Sequence, residues 1–477
     1  MSKELLELET LDRSTAQRDG TLPRLVTLTI VHHPETQRVG ERARFPMLEH
    51  ARARIAVGRA EPMFRAGHDG AAAPLVSPFV SRKPLWIEGL GDGGVRLDAT
   101  QAGSRIDVDG AQLTGTLDVT PTQLEDGVVV QVGSHVVLLL HREAPLQSDP
   151  ALLDGRIIGA SEAIEGVRAA VQRVGADGAS VLVRGATGSG KELVAAAIHH
   201  ASKRRGGPFV AVNMAAVPPT LAASELFGHV RGAFSGADQA HDGFFVRAHG
   251  GTLFLDEVAD TPNEVQAALL RVLETGEVLA VGGRAPRKVD VRIVAATDGD
   301  LEAAIDDGRF RAPLLYRLAA NEIRVPPLRE RRSDIGRLVA YFLMKELVDL
   351  GRQKLLQPAL TDDAPWLSAA LVARLARYDW PGNVRQLRSV CHAIALASDA
   401  PGGLADAELE RLMPRPRARP SGGAGDTPAA SPAERRPARP DRARRRASRP
   451  KRSRRCCWRS TSASARRPSI LAYRGPR

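Results

Sequence analysis

The sequence predicts a multidomain protein. An all-β sandwich covers residues 22–143, an α/β domain with a parallel sheet covers 154–330, a helical lid covers 331–413, and a disordered basic tail covers 414–477. Three observations predict this order. Short Val-, Ile- and Leu-rich runs separated by glycine-containing breaks fill the first part, as in sandwiches. From about Asp154, strand-like runs alternate with helical patterns, which a parallel sheet covered by helices requires. After Pro326-Pro327 the β signal fades, and helix-forming sequence continues to about Met413.

Each part follows from its residues. Residues 1–21 are polar and lack an apolar h-region, so they read as a flexible N-terminus rather than a secretory signal. The sandwich strands are expected at Leu25–Val31, Ile55–Val57, Leu85–Glu88, Val128–Val132 and His135–Leu140, with breaks at Gly89–Gly94 and Asp109-Gly110. A linker over 144–153 carries Pro145 and Pro150. Strands of the α/β domain are expected at Ser180–Val183, Phe209–Val212, Thr252–Leu255 and Val291–Ala295. The tail is Arg, Pro, Ser and Ala without apolar periodicity, a composition that cannot offset chain entropy by burial.

Charge is divided unevenly. Residues 414–477 hold 20 Lys and Arg against 3 Asp and Glu, a balance of +17, whereas the first 413 hold 47 against 52, a balance of −5. The basic character therefore belongs to the tail and not to the folded body. The chain has 477 residues, enough for two or three domains. No apolar run approaches the roughly 18 residues of a membrane span. Three cysteines, Cys391, Cys456 and Cys457, cannot form a disulfide framework, which fits a reducing cytoplasm.

Gly185-Ala186-Thr187-Gly188-Ser189-Gly190-Lys191 fits G-x-x-x-x-G-K between the run Ser180–Val183 and the helical pattern Glu192–His199. In that setting, glycines let backbone N–H groups wrap phosphates, the helix N-terminus adds positive potential, and Lys191 reaches the β- and γ-phosphates of ATP. Glu192 stands where Ser or Thr usually meets Mg²⁺. The second element, Gly250-Gly251-Thr252-Leu253-Phe254-Leu255-Asp256-Glu257, is an apolar strand ending in two carboxylates. Asp256 suits a hydrated Mg²⁺, and Glu257 suits an attacking water.

Further segments carry a family resemblance. Ser224-Glu225-Leu226-Phe227-Gly228-His229 runs into Gly232-Ala233-Phe234-Ser235-Gly236-Ala237, and four more segments complete the pattern. They are Phe209–Asn213, Leu269–Leu273, Pro326–Arg331 and Trp380–Leu387, and with Asp154–Gly159 the match extends from about Asp154 to Ser398. This region resembles the AAA+ domain of bacterial sigma-54-dependent activators. The resemblance implies ATP hydrolysis coupled to remodelling of sigma-54 RNA polymerase, with Gly232–Ala237 as the partner-binding loop. It implies that Asn213 is a switch holding the catalytic Glu257, that Arg311 and Arg317 are arginine fingers entering a neighbour's site, and that Arg385 is a sensor in the lid. Fingers given in trans imply a ring, a hexamer by resemblance. Pro313, Asp298 and Val246 depart from the family pattern, where Asp, Asn and Glu are usual.

The N-terminal part resembles a forkhead-associated (FHA) domain through Val57-Gly58-Arg59, Ser77–Arg82, Asp109-Gly110, Leu124–Val128 and Val132-Gly133. In that family an Arg and a Ser grip phosphothreonine, roles that fall on Arg59 and Ser81. Pro84 and Asp109 replace the usual His and Asn, so a sandwich used for oligomer or intramolecular contacts stands as the alternative. No helix-turn-helix is visible. The tail reads either as a salt-sensitive nucleic-acid binder or as the product of a shifted frame. Two rivals remain for the whole: a phosphopeptide-responsive ATP-binding adaptor with weak or no hydrolysis, and an AAA+ protein acting on another client.

Overall fold

The computed structural model describes residues 24–67, 70–144, 157–356, 366–397 and 406–414. The expected flexible N-terminus, most of the linker, the tail beyond Pro414, and Cys456 and Cys457 lie outside these residues. Among the described residues, no helix is long and apolar enough to cross a membrane.

Ten strands form the N-terminal part. They are β1 (Leu25–His32), β2 (Arg42–Arg44), β3 (Arg54–Val57), β4 (Leu85–Gly89), β5 (Val95–Asp98), β6 (Ile106–Val108), β7 (Ala111–Leu113), β8 (Thr116–Val119), β9 (Val128–Val132) and β10 (Val136–Glu143). They make two antiparallel sheets, ordered β2-β1-β10-β9-β6-β7 and β3-β4-β5-β8. Helix α1 (Pro121–Asp126) is fixed by a capping box. Thr120 accepts from Gln123 N, and the Gln123 side chain accepts from Thr120 N.

The runs Val128–Val130 and Val136–Leu140 do not alternate apolar with polar, because both faces of this sheet are covered. Val128, Val130, Leu138 and Leu140 face the second sheet, in a core with Leu28, Ile87 and Leu97. Val31, Val129, Val137 and Leu139 face the other way, onto the lid.

The α/β domain has five parallel strands ordered β12-β13-β16-β11-β17. These are β11 (Val181–Arg184), β12 (Phe209–Asn213), β13 (Thr252–Asp256), β16 (Arg292–Thr297) and β17 (Asn321–Arg324), with a small antiparallel hairpin of β14 (Glu277–Val278) and β15 (Arg287–Lys288). Period-2 alternation splits the sheet between two cores. Val181, Val183, Val294 and Ala296 pack on α2 (Glu162–Ala176) and α3 (Lys191–His200). Leu182, Leu253, Leu255, Ile293 and Ala295 pack on the opposite side. That side carries α4 (Pro219–Phe227), α5 (Phe244–Arg247), α6 (Asn263–Thr275), α7 (Leu301–Asp306) and α8 (Ala312–Leu318). Four of the five strands correspond to sequence expectations. The edge strand β17, with Glu322 and Arg324 exposed, was not among them.

The lid contains α9 (Ile335–Asp349), α10 (Ala369–Arg377), α11 (Asn383–Ala397) and α12 (Asp406–Leu412). Ser368 caps α10 by accepting from Leu371 N. The small face of α10, made of Ala369, Val372, Ala373 and Ala376, lies on the outer face of the sandwich. Each large apolar side chain buried there contributes roughly 1.5–3 kcal/mol relative to exposure. Close approach also depends on Gly336 at the start of α9, where a Cβ would lie 2.4 Å from the Val31 carbonyl oxygen.

Polar contacts join the same seam to the α/β domain. Arg42 and Glu143 form an ion pair at 3.0 Å, with side chains only 5% and 3% exposed. Arg42 also donates to Ala160 O at 2.7 Å. The lid's Asp334 accepts from Ala160 N at 2.6 Å, Ser161 N at 2.8 Å and Ser161 Oγ at 2.6 Å.

Candidate nucleotide site

Parallel pairing of β11, β16 and β13 brings their carboxyl ends together at one edge of the sheet. The chain leaves β11 through 185–190, turns with Gly188 at φ +73° and Gly190 at φ +106°, and enters α3 at Lys191. The first-turn N–H groups of α3 lack intrahelical acceptors and so favour an anion. A Cβ on Gly188 would lie 2.5 Å from Gly382 O, so the lid sits directly against this loop. Ser189 N donates to Ala186 O at 3.1 Å, closing the turn. Glu192 is exposed in the first turn of α3.

Lys191 is 6% exposed, and its Nζ donates to Gly185 O at 3.0 Å and Glu257 Oε1 at 3.1 Å. Glu257 follows β13 with φ +51°, a left-handed conformation that a non-glycine residue adopts at a cost. Burial pushes its carboxyl above the ordinary glutamate range, against the pull of Asp298 N–H and Lys191. Asp256 Oδ1 and Ser189 Oγ are buried without a hydrogen-bond partner among the described residues. Unpaired oxygens beside a phosphate loop match the oxygen-only donor preference of Mg²⁺, so these residues fit that ion.

The lid closes one side of the site with residues that motif reading did not single out. Asn383, 2% exposed and at φ +51°, donates from Nδ2 to Thr187 O at 2.9 Å. Its Oδ1 accepts from Leu328 N at 2.9 Å. Arg331 is 4% exposed and donates to Ser189 O at 3.0 Å. Both belong to segments conspicuous in the sequence, Trp380–Leu387 and Pro326–Arg331, but their targets are backbone carbonyls that no motif displays. Arg385 is exposed next to the loop, and its backbone N–H donates to Gly188 O at 3.3 Å.

Three further residues fall as follows. Asn213 ends β12 level with Asp256. Its Oδ1 accepts from Ala215 N at 2.9 Å, and Glu257 is held instead by Lys191 and by Asp298 N, at 3.1 Å each. Among the described residues no hydrogen bond joins Asn213 to Glu257; the Oδ1 caps its own turn, and the Nδ2 donor that a carboxylate would need is not engaged by that cap. Arg311 donates to Asn263 O at 3.4 Å, and Arg317 donates to Leu273 O at 2.9 Å. Both are exposed and anchored on α6 carbonyls, and neither hydrogen-bonds to the loop or to the β13 carboxylates of its own chain.

The segment Gly232–Ala237 forms a closed surface turn. Gly232 N donates to Ala237 O at 2.8 Å, and Ala237 N donates to Phe234 O at 3.0 Å. Ala237 is buried at its base, Ser235 and Gly236 are exposed, and Ala233 is half-buried. Phe234 is 39% exposed and meets the His229 ring edge-on at 5.0 Å.

At the sandwich tips, Arg59 and Ser81 are adjacent: Arg59 N donates to Ser81 O at 3.2 Å. The Arg59 side chain is spent on the Val80 and Pro78 carbonyls, and Ser81 Oγ accepts from Lys83 N at 3.1 Å. Asp109 sits at φ +47° and accepts from Val129 N at 3.0 Å, a turn-forming role for that acid.

Comparison with known proteins bears on this geometry. Residues 157–324 match the family model of the Sigma-54 interaction domain, and residues 329–413 match that of the AAA+ ATPase lid domain. The DNA-binding transcriptional regulator NtrC of Escherichia coli (strain K12) is 47% identical over 257 residues, 52% of this chain and 52% of that protein. The nitric oxide reductase transcription regulator NorR1 of Cupriavidus necator is 48% identical over 243 residues, 51% of this chain and 45% of that protein. A solved structure of NtrX from Brucella abortus in complex with ATP is 37% identical with a TM-score of 0.46, covering 56% of this chain and 57% of that one. The chain spans about half the length of the curated relatives it matches. The match and the sheet-edge geometry fall on the same residues: 157–324 are similar to the Sigma-54 interaction domain and 329–413 to the AAA+ ATPase lid domain.

Proposed function

We propose that this chain is an ATP-hydrolysing regulator of sigma-54-dependent transcription that remodels the closed complex of sigma-54 RNA polymerase. The observation that carries the reading is Lys191, buried between the phosphate loop and Glu257, on the same domain that exposes Phe234. The triphosphate of ATP would lie on the amides of 185–190, and Asp256 would hold Mg²⁺. That ion neutralises phosphate charge when bound. Glu257, with a carboxyl raised by burial, would orient and polarise the attacking water. Arg311 and Arg317 would serve a neighbouring subunit, within a ring that resemblance makes a hexamer. The exposed ring of Phe234 would be the contact with sigma-54.

The sandwich would receive the input. A phosphothreonine at Arg59 and Ser81 requires the Arg59 guanidinium to leave the Pro78 and Val80 carbonyls. Asp298, Pro313 and Val246 favour a second reading, a nucleotide-binding, phosphopeptide-responsive adaptor with weak or no hydrolysis.

A steady-state ATPase assay separates the two readings. The remodelling reading is tested by capture of sigma-54 with and without a transition-state analogue of ATP. Capture is expected only with the analogue and is lost in Phe234→Ala. Equal capture by Phe234→Ala overturns the role of the loop.

A further inference from the structure

Asp298 follows β16, the strand that lies between the strand bearing the phosphate loop and the strand bearing the two carboxylates. This position delivers it to both. Its backbone N–H donates to Glu257 Oε2 at 3.1 Å. Its carboxylate accepts from the hydroxyl of Thr187, inside the phosphate loop. The strand end is itself fixed, since Gly185 N donates to Thr297 O at 3.2 Å and Gly299 N donates to Thr297 Oγ1 at 3.0 Å. The Thr187 hydroxyl holds the Asp298 carboxyl below the ordinary aspartate range, with Lys191 adding to the effect, so the group is anionic at neutral pH.

Around Lys191 carboxylates outnumber cations, the lid's Arg331 and Arg385 meeting the loop at Ser189 and Gly188 instead. Lys191 already faces Glu257 at 3.1 Å, and Asp256 ends the adjacent strand. Asp298 adds another negative group on the loop's own Thr187. A diphosphate cradled by amides 185–190 gains the loop and helix N-terminus. A third phosphate extends toward Lys191 and Glu257, into the field of Asp298. Asp298 and Thr187 are exposed while Lys191 beside them is buried, so solvent screens only part of the repulsion between like charges a few ångströms apart.

We propose that Asp298 is a specificity-determining residue that weakens retention of the terminal phosphate and biases the site toward adenosine diphosphate. This rests on the reading of 185–191 as an adenine-nucleotide site. A carboxamide at 298 would keep the acceptor for Thr187 and the backbone contact to Glu257 while removing the charge. The cost is therefore electrostatic and separable from the fold.

The test is equilibrium binding of ADP and of a non-hydrolysable ATP analogue to the full chain with Mg²⁺, by calorimetry. Asp298→Asn is expected to raise affinity for the ATP analogue about tenfold while changing ADP affinity less than about threefold. Asp298→Ala must move the ratio in the same direction, and Asp298→Glu must keep the preference for ADP. An unchanged ratio in Asp298→Asn, or equal gains for both nucleotides, overturns the assignment. If the unaltered chain binds neither nucleotide, the underlying reading falls with it. Tight and equal binding of both overturns only the role of Asp298.

Discussion

The nucleotide edge of the parallel sheet, where Ser189, Lys191 and Asn383 are buried but Thr187 and Asp298 are exposed, and the buried seam between sandwich and lid are assembled differently. At the edge, polar groups converge from β11, β13, β16 and the lid; some are paired, Lys191 with Glu257, Thr187 with Asp298 and Asn383 with Thr187 O, while Asp256 Oδ1 and Ser189 Oγ have no partner among the described residues. In the apolar part of the seam, Val31, Val129, Val137 and Leu139 meet Ala369, Val372, Ala373 and Ala376, where shape and size decide the fit. The edge thus tolerates almost no change of residue type. The seam tolerates many apolar exchanges and fails where a Cβ or a charge is misplaced. Chemistry is written as motifs, whereas complementarity is written as volume.

The largest expected effect lies at the polar rim of the seam. Arg42→Ala leaves Glu143 buried without its cation, and breaking such a pair costs about 3–5 kcal/mol. Chemical denaturation is expected to show that loss with nucleotide affinity unchanged. Altered affinity at unchanged stability would erase the distinction between the two regions. Next, Lys191→Ala should weaken ADP binding about 100-fold, or about 2.8 kcal/mol, measured by calorimetry with Mg²⁺. Stability without nucleotide should move much less than in Arg42→Ala.

A pH titration sharpens the contrast further. His141 on β10 is buried, shares a hydrogen bond with Thr29 Oγ1 at 2.8 Å, and has its pKa pushed down to about 3 chiefly by that burial. The unfolded chain takes up this proton below the ordinary value near 6.5, while the folded chain stays neutral until about 3. Stability is therefore complete above about 6.5 and declines as the pH falls, by roughly 2 kcal/mol at pH 5. Denaturation at pH 7 and pH 5 measures this, and His141→Gln should shrink the difference by that amount, leaving the part owed to His32, whose pKa burial pushes down to about 4. The smallest effect belongs to the bridge between lid and loop. Asn383→Ala removes the donor to Thr187 O and should weaken ADP binding about tenfold by the same calorimetry.

Much of the fold was legible. Short apolar runs located β11, β12, β13 and β16 to within a residue or two, because strands buried on both faces, as β11, β13 and β16 are, must be apolar nearly throughout. β17 escaped, since Asn321–Arg324 has one buried residue, Ile323, and its other side chains are polar. In the site, 185–191 and 256–257 were readable because backbone amides, a lysine and two carboxylates are the few groups suited to phosphate and a hydrated cation. Asn213 was less so. Its type was evident, but that its Oδ1 caps the turn at Ala215 is set by the local backbone after β12.

The sequence alone determined that a phosphate loop and an acidic strand end occur together, because each is a local pattern whose chemistry needs neighbours close along the chain. It also placed strands at Val128–Val132 and His135–Leu140, although not that both faces of their sheet are covered. Only the tertiary structure decided that α10 covers the sandwich, that Asn383 and Arg331 close on the loop, and that Asp298 sits between Thr187 and Glu257. Those contacts join residues far apart in sequence. They are fixed by strand order and steric fit, such as the space left by Gly336 and Gly188, which no single segment encodes.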